Sequence, residues 1–291
     1  MKVQPAHIRE DEHMTTSISA TVHCVLCGPR PHRPLLDGTV QQCVSCGFGR
    51  TTAELPSPAR LYAELPEEDD DLRRLVADRR LRRITAVARP ATLLEAGCAE
   101  GHFVVAARRA GIDASGIDVS REAARYANEM MGAPVRHGYF ETLAATVDEV
   151  DVVCAFDVLP DVENPREFLE VARGAVAPGG WLCLEVPNIA SAAAGRQGAA
   201  WPAWAPDVHR WHFSPETLIG LVVDCGFRVV DCDTVFERFY RPRGHRIRHA
   251  RRLFLSDWVS AGTRSMSHPR LGDRIRLLAR RYDEGMPLPT D

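Results

Sequence analysis

Lysine is almost missing from this 291-residue chain: Lys2 is the only one among 36 lysines and arginines. A GC-rich genome produces such a bias, so the arginine excess is not in itself a sign of a phosphate-bearing partner. Long apolar runs are missing too. No stretch approaches the ~20 residues needed to span a bilayer. The opening segment, Met1-Lys2-Val3-Gln4-Pro5-Ala6-His7, has no apolar core of the kind a signal peptide carries. A cytoplasmic protein with no membrane partner is expected. Positive net charge is absent as well: 36 basic against 39 acidic residues leave −3, which gives no global attraction to nucleic acid or anionic membranes. The nine cysteines are an odd number, which argues against a disulfide framework. With 45% hydrophobic residues the chain can still bury a core, so wholesale disorder is excluded.

Four of the cysteines form a pattern. Cys24-x2-Cys27 and Cys43-x2-Cys46 are separated by fifteen residues, and each pair is followed by glycine (Gly28, Gly47). Two cysteines at this spacing can aim both sulfurs at one ion, and a second pair completes a tetrahedron. Such a site has no open position, so the pattern predicts a structural Zn2+ with Cys24, Cys27, Cys43 and Cys46 as ligands. Iron or a redox pair fits a closed four-thiolate ribbon less well. The other five cysteines are scattered among apolar neighbours and read as reduced core residues.

The organisation follows from local signals. Residues 1–20 read as a flexible N-terminus, 21–50 as the four-cysteine module, and 51–88 as a proline-punctuated linker followed by a helix over about 70–88. Acidic residues precede basic ones in that helix, the order its dipole favours. Residues 89–240 alternate short apolar runs with helical segments. Strands are expected at Thr92–Ala96, Ala114–Val119, Val135–Tyr139, Val150–Phe156, Trp181–Val186 and Phe227–Val235, with Pro178-Gly179-Gly180 as a turn. This rhythm implies right-handed crossovers and a doubly wound, mostly parallel α/β sheet. A long loop at 188–213 is rich in Ala, Gly, Pro and Trp. Residues 241–291 read as a basic, helical C-terminal extension.

The most specific motif is a glycine turn. Leu94-Glu95-Ala96-Gly97-Cys98-Ala99-Glu100-Gly101 follows a strand and opens a helix, and Gly116-Ile117-Asp118-Val119 closes the next strand. Small residues let the backbone approach a ligand, the helix start offers N–H donors, and Asp118 can bind two hydroxyls. Only Gly97 and Gly101 are glycines in the turn, so the three-glycine pattern of a dehydrogenase is absent. The chain here resembles the class I S-adenosylmethionine-dependent methyltransferases, over about residues 90–235. His137-Gly138-Tyr139-Phe140-Glu141, Asp151–Leu159 and Val176-Ala177-Pro178-Gly179-Gly180 stand where that family has its later motifs. The resemblance implies a Rossmann-like, seven-stranded sheet behind the zinc ribbon. It also implies S-adenosylmethionine as cofactor, with S-adenosylhomocysteine as product. The cofactor-binding residues it implies are Glu95, Gly97, Ala99, Gly101, Asp118, Val119, Tyr139, Phe140 and Phe156, with Tyr62 closing from the front. Ala99 replaces the family's middle glycine, and Tyr139 stands where the family often has Asp.

Methyl transfer to a hydroxyl or amine also needs a base. Many small-molecule members carry Leu-Glu-His after the fourth strand; this chain has Leu159-Pro160-Asp161. Asp161 is one candidate base, although a solvated loop acid would titrate too low for the task. His209 and His212, at the end of the long loop, are the others; the alternative for either is lining the pocket or capping a helix. Trp201, Trp204 and Trp211 read as a lid over an apolar substrate, or as a cluster that pins the loop.

The resulting expectation is methyl transfer to a small-molecule acceptor, at O or N before C, as in specialised metabolite biosynthesis. The arginines between Arg238 and Arg252 could instead serve an anionic or carrier-bound substrate, or RNA. The zinc module ahead of this fold, together with those arginines, keeps an rRNA or tRNA methyltransferase as the second reading, although no catalytic Asn/Asp-Pro-Pro-Tyr motif is present. A binding module that has lost activity is the third, and the intact Asp118 and glycine turn oppose it. The sequence does not choose an oligomeric state.

Overall fold

The cysteine knuckles are the tight turns of an antiparallel meander. Its strands are β1 (Ser19–Cys24), β2 (Gly28–Leu35), β3 (Val40–Cys43) and β4 (Gly49–Thr51). Gly28 (φ 72°) and Gly47 (φ 81°) take the left-handed turn conformation that glycine adopts without steric cost. The computed structural model describes residues 19–63, 70–236, 267–268 and 270–283. After the meander come α1 (Pro58–Leu61) and the long α2 (Asp70–Val87), which buries Val76, Ala77, Leu81 and Ile84.

The alternating part then runs β5 (Thr92–Ala96), α3 (His102–Arg109), β6 (Asp113–Asp118), α4 (Arg121–Tyr126), β7 (Val135–His137), α5 (Phe140–Leu143), β8 (Val150–Phe156), α6 (Pro165–Ala175) and β9 (Val176–Pro187). Next are α7 (Ala192–Gln197), β10 (Trp211–His212), α8 (Pro215–Asp224), β11 (Phe227–Val235), β12 (Ser267–His268) and β13 (Arg274–Arg281). The main sheet has the order β12-β11-β13-β9-β8-β5-β6-β7. It comprises seven strands plus the two-residue β12 at the edge. The five from β9 to β7 are parallel, and β13 runs antiparallel between β9 and β11. This is the expected Rossmann-like, mostly parallel sheet. Its strand order reverses at β5, beside β8, and the crevice at such a switch point is where ligands bind.

Two expectations are corrected. The C-terminal region is not wholly helical: Arg274–Arg281 is a strand inside the sheet, so the domain extends past residue 240. Its apolar residues Ile275, Leu277, Leu278 and Ala279 are fully buried. Its arginines reach outward to acceptors: Arg276 to Asp233, Arg280 to the Gly179 carbonyl, Arg281 to Glu149. The Arg238–Arg252 cluster lies outside the described residues. Likewise, Pro178-Gly179-Gly180 is no interruption but a bulge within β9, between the pairs Val150↔Val176 and Val152↔Trp181.

The meander is not a separate bead. β10, from the long loop, pairs with β4 and becomes its fifth strand. Phe48, 2% exposed, packs on Phe213 and Trp211 at 5.2 and 5.7 Å between ring centroids. Cys24 and Cys43 belong to the same buried cluster as Phe168, Phe213 and Leu218 of the main domain. Among the described residues, no helix is long and apolar enough to cross a membrane.

Candidate functional site

A cavity of about 800 Å³ opens at the carboxyl ends of β5, β6 and β8, roofed by α2 and the loop before β10. The glycine turn forms one wall. A Cβ on Gly97 (φ 66°) would come within 2.3 Å of Val158, so only glycine fits there. Ala99 also sits in the left-handed region (φ 46°), a conformation costing roughly 1–2 kcal/mol for a residue with a side chain. Its N–H donates to Asp118 Oδ2 at 2.7 Å, which helps hold it there. Gly101 does not line the cavity. Its role is packing, since a Cβ would meet Ala133 Cβ at 2.7 Å.

Asp118 ends β6 at the cavity wall. Ser120 N–H donates to its Oδ1 at 2.7 Å, so each carboxylate oxygen is aimed by one backbone donor and keeps a lone pair for a ligand. Burial raises its pKa, and the two N–H bonds oppose that shift. Val119, Tyr139, Phe140 and Phe156 line the same side. Glu95 lies beneath them, 3% exposed. Burial pushes it up to about 8, against the pull of Arg80. Its Oε2 is buried without a hydrogen-bond partner among the described residues. A buried, orphaned carboxylate oxygen beside a paired diol acceptor suits a ligand that carries both a cationic centre and adjacent hydroxyls. S-adenosylmethionine has both, so the residues fit that cofactor.

The opposite wall holds three of the sequence candidates. Tyr62, Asp161 and His209 all line the cavity. The Tyr62 hydroxyl donates to Asp161 Oδ2 at 2.5 Å. Asp161 is 4% exposed, not a solvated loop acid. Burial raises it from 3.8 to about 7, while Tyr62 and Arg210 pull it down. Its other oxygen, Oδ1, has no hydrogen-bond partner among the described residues and stands 3.8 Å from His209 Nε2. His209 Nδ1 lies 3.2 Å from the Ala203 carbonyl. A carbonyl can only accept, so Nδ1 carries the proton and Nε2 presents a lone pair. Burial lowers the His209 pKa and keeps the ring neutral. Two proton acceptors thus face one gap in the cavity.

His212 does not join them. It lies outside the cavity lining, is buried, and is bonded to Thr51 Oγ1 at 2.9 Å. Burial, then the neighbouring His209, push its pKa down to about 3. Its ring is held by Thr51 and packed on Trp204, away from the cavity lining, so the structure opposes a catalytic role. The three tryptophans are not a substrate lid either. Trp201 and Trp204 pack edge to face in a cluster with Val40 of the ribbon. Trp211 stacks on Phe48 and donates to the Val162 carbonyl. They pin the loop.

Sequence reasoning missed a buried ion cluster on the cavity floor. Arg80 of α2 reaches Glu185 at 2.8 Å and Asp157 at 3.4 Å. Arg274 of β13 pairs with both Glu185 and Asp157. Asp157, just after β8, had a weak signal in its motif; Arg274, more than a hundred residues later, had none.

The four cysteine sulfurs gather in the ribbon, away from the cavity. All lie within 4.8 Å of one another, with Cys24–Cys46 and Cys27–Cys43 at 3.5 Å and Cys27–Cys46 at 3.6 Å. A tetrahedron of ~2.3 Å metal–sulfur bonds has edges of ~3.8 Å, so the group is of the right size for one metal ion.

Comparison with known proteins agrees with this geometry. A family profile described as a methyltransferase domain matches residues 69–231, more than half of the chain. A probable S-adenosylmethionine-dependent methyltransferase of Mycolicibacterium smegmatis is 30% identical over 149 residues, which are 50% of this chain and 54% of that protein. A ubiquinone biosynthesis O-methyltransferase of Cereibacter sphaeroides is 31% identical over 150 residues, 48% of this chain and 61% of that one. The chain thus spans little more than half the length of these curated relatives. Among solved structures, an S-adenosylmethionine-dependent methyltransferase of Archaeoglobus fulgidus superposes with a TM-score of 0.52 at 18% identity, covering 72% of this chain and 94% of that one. At that identity the likeness speaks for the fold.

Proposed function

The chain belongs to the methyltransferase-domain family, and from that premise we propose that it transfers a methyl group from S-adenosylmethionine to an oxygen or nitrogen of a small-molecule acceptor. The observation that carries this reading is the continuity of one cavity from Asp118 to the Asp161–His209 gap. Asp118 would hold the ribose hydroxyls, the backbone at Gly97 and Ala99 would lie against the cofactor, and Glu95 would face its cationic end. When bound, the cofactor supplies a methyl group activated by a sulfonium. The residues of this chain do the rest. Helix α2 and Tyr62 cover the cavity and exclude water. His209 Nε2 or Asp161 Oδ1 accepts a hydrogen bond from the acceptor's O–H or N–H and takes its single proton as the methyl arrives. Asp161, held near neutrality by burial, and the bare Nε2 are each suited to that task at physiological pH.

A hydroxyl is favoured over an amine. The gap presents two acceptors that can orient a donor and take its proton, and the relative named as an O-methyltransferase favours a hydroxyl. The four-cysteine group is proposed to bind Zn2+ in a closed, structural site. The RNA reading rests on the cysteine ribbon ahead of the fold and on Arg238–Arg252; the arginines lie outside the described residues, and the ribbon packs on the enzyme itself.

The test is direct. Wild-type protein, supplied with methyl-labelled S-adenosylmethionine and a panel of phenolic, catecholic and amine acceptors, should label a hydroxyl-bearing compound. His209→Ala should lower turnover by about 10²–10⁴-fold, the usual worth of a positioned base, while leaving S-adenosylhomocysteine affinity within a few-fold. Labelling of RNA alone, or wild-type turnover in His209→Ala, would contradict the reading.

A further inference from the structure

No described residue before Pro58 lines the cavity, yet the ribbon forms one side of the frame that holds His209. The link is Thr51, the last residue of β4, itself 5% exposed. Its backbone N–H donates to the Arg210 carbonyl at 2.9 Å. Its hydroxyl donates to the His209 carbonyl at 2.6 Å. A hydroxyl has a single proton, so the 2.9 Å contact with His212 Nε2 must run the other way, with Nε2–H donating to Oγ1. One threonine therefore ties three loop residues, His209, Arg210 and His212, to the edge of the ribbon sheet. Gly49 keeps the two strands close, since a Cβ there would stand 2.8 Å from His212 Cβ.

The far side of the same loop is tied to the turn that carries Asp161. The backbone N–H groups of Arg210 and Trp211 both donate to the Pro160 carbonyl, at 2.7 and 3.0 Å. The Arg210 guanidinium bridges the Asp161 carbonyl and the Leu55 carbonyl. The 3.8 Å gap between His209 Nε2 and Asp161 Oδ1 is set by this brace, with the ribbon as one anchor and the Pro160–Asp161 turn as the other.

We propose that Thr51 is a positioning residue for His209, and that the four-cysteine ribbon serves the enzyme by clamping the loop that carries the proton-accepting imidazole. This rests on the reading of His209 given above, but it can be tested without an acceptor. The probe is diethyl pyrocarbonate, with ethoxycarbonylation of each histidine (release of CO2 and ethanol) followed by mass spectrometry. Thr51→Val keeps the shape and removes the hydroxyl. Two net hydrogen bonds holding the loop disappear, so His209 should react on the order of tenfold faster. Thr51→Ser restores the hydroxyl and should return the rate to the wild-type value. S-adenosylhomocysteine affinity should be unchanged in both, because Thr51 does not touch the cavity. Equal His209 reactivity in wild type and Thr51→Val, or a fast rate retained in Thr51→Ser, would overturn the proposal. Should Thr51→Val fail to fold, long-range 1H–15N spectra of histidine-labelled wild type still decide. They should show His209 protonated at Nδ1 and His212 at Nε2; a His212 protonated only at Nδ1 overturns the brace. If S-adenosylhomocysteine fails to bind the wild type, the methyltransferase reading falls while the reactivity comparison stands on its own.

Discussion

Asp161→Asn separates the cost of burying a base from the benefit of having one. In the folded chain burial holds Asp161 at about 7, against 3.8 for the free group. Between those values the native state binds a proton that the unfolded chain has released, so stability falls as pH rises through this window. At ~1.4 kcal/mol per pH unit the total is about 4 kcal/mol, fully expressed above pH ~7. Asparagine has the same shape, stays neutral and can still accept from Tyr62, so the variant should not show that loss. Glu95, raised to about 8, contributes a parallel decline to both proteins, which cancels in their difference. Urea unfolding of the two proteins from pH 4 to 8 is the assay. The stability of Asp161→Asn minus wild type should grow by up to ~4 kcal/mol across the window and then level off. Parallel curves would show that Asp161 is ionised at its ordinary pKa, and the proton-accepting gap would lose one of its members.

Other perturbations probe the remaining parts. Ala99→Gly relieves a left-handed backbone at the cofactor turn (φ 46°), and should raise unfolding free energy by up to ~1 kcal/mol after the entropy of the freer chain is deducted; a loss of stability in urea titration would contradict the strain. Phe48→Ala removes a buried ring at the seam of ribbon and enzyme, and should cost about 3–5 kcal/mol in one cooperative transition. Separate melting of the ribbon would show that the seam is weaker than the packing implies. Metal analysis should find one zinc per chain, and Cys43→Ser should release it; a content of two or none would contradict the single four-thiolate site.

The central strands were legible because parallel strands buried on both faces read as unbroken apolar runs. β5 and β8 fall where those runs predict, and Ser214 and Asn164 cap α8 and α6 as their side-chain chemistry suggests. β13 was hidden by its own arginines. A strand whose charged residues all find acceptors at its ends and edges looks like a basic helix when those acceptors, Glu185, Asp233 and Glu149, are dispersed along the chain. The cofactor side of the site was legible as a contiguous motif, Gly101 excepted: its glycine signals packing, not contact. The acceptor side was not. His209 and His212 look equivalent in sequence; in the structure the pairing of β10 with β4 puts His212 against Thr51 of the ribbon, while His209, before the strand, lines the cavity. The three indoles suggested a lid because apolar loop residues look alike whether they face a ligand or anchor a loop. No local pattern could have joined Thr51 to residues some 160 positions later.

The measurement closest to the central claim is the calorimetric affinity of S-adenosylhomocysteine for wild type and Asp118→Ala. Asp118 offers charge-assisted hydrogen bonds to two hydroxyls, each worth ~1.5–3 kcal/mol, so the variant should bind at least ~100-fold more weakly. Wild-type affinity in Asp118→Ala, or no binding to the wild type at all, would contradict the account of this cavity as a methyl-donor site.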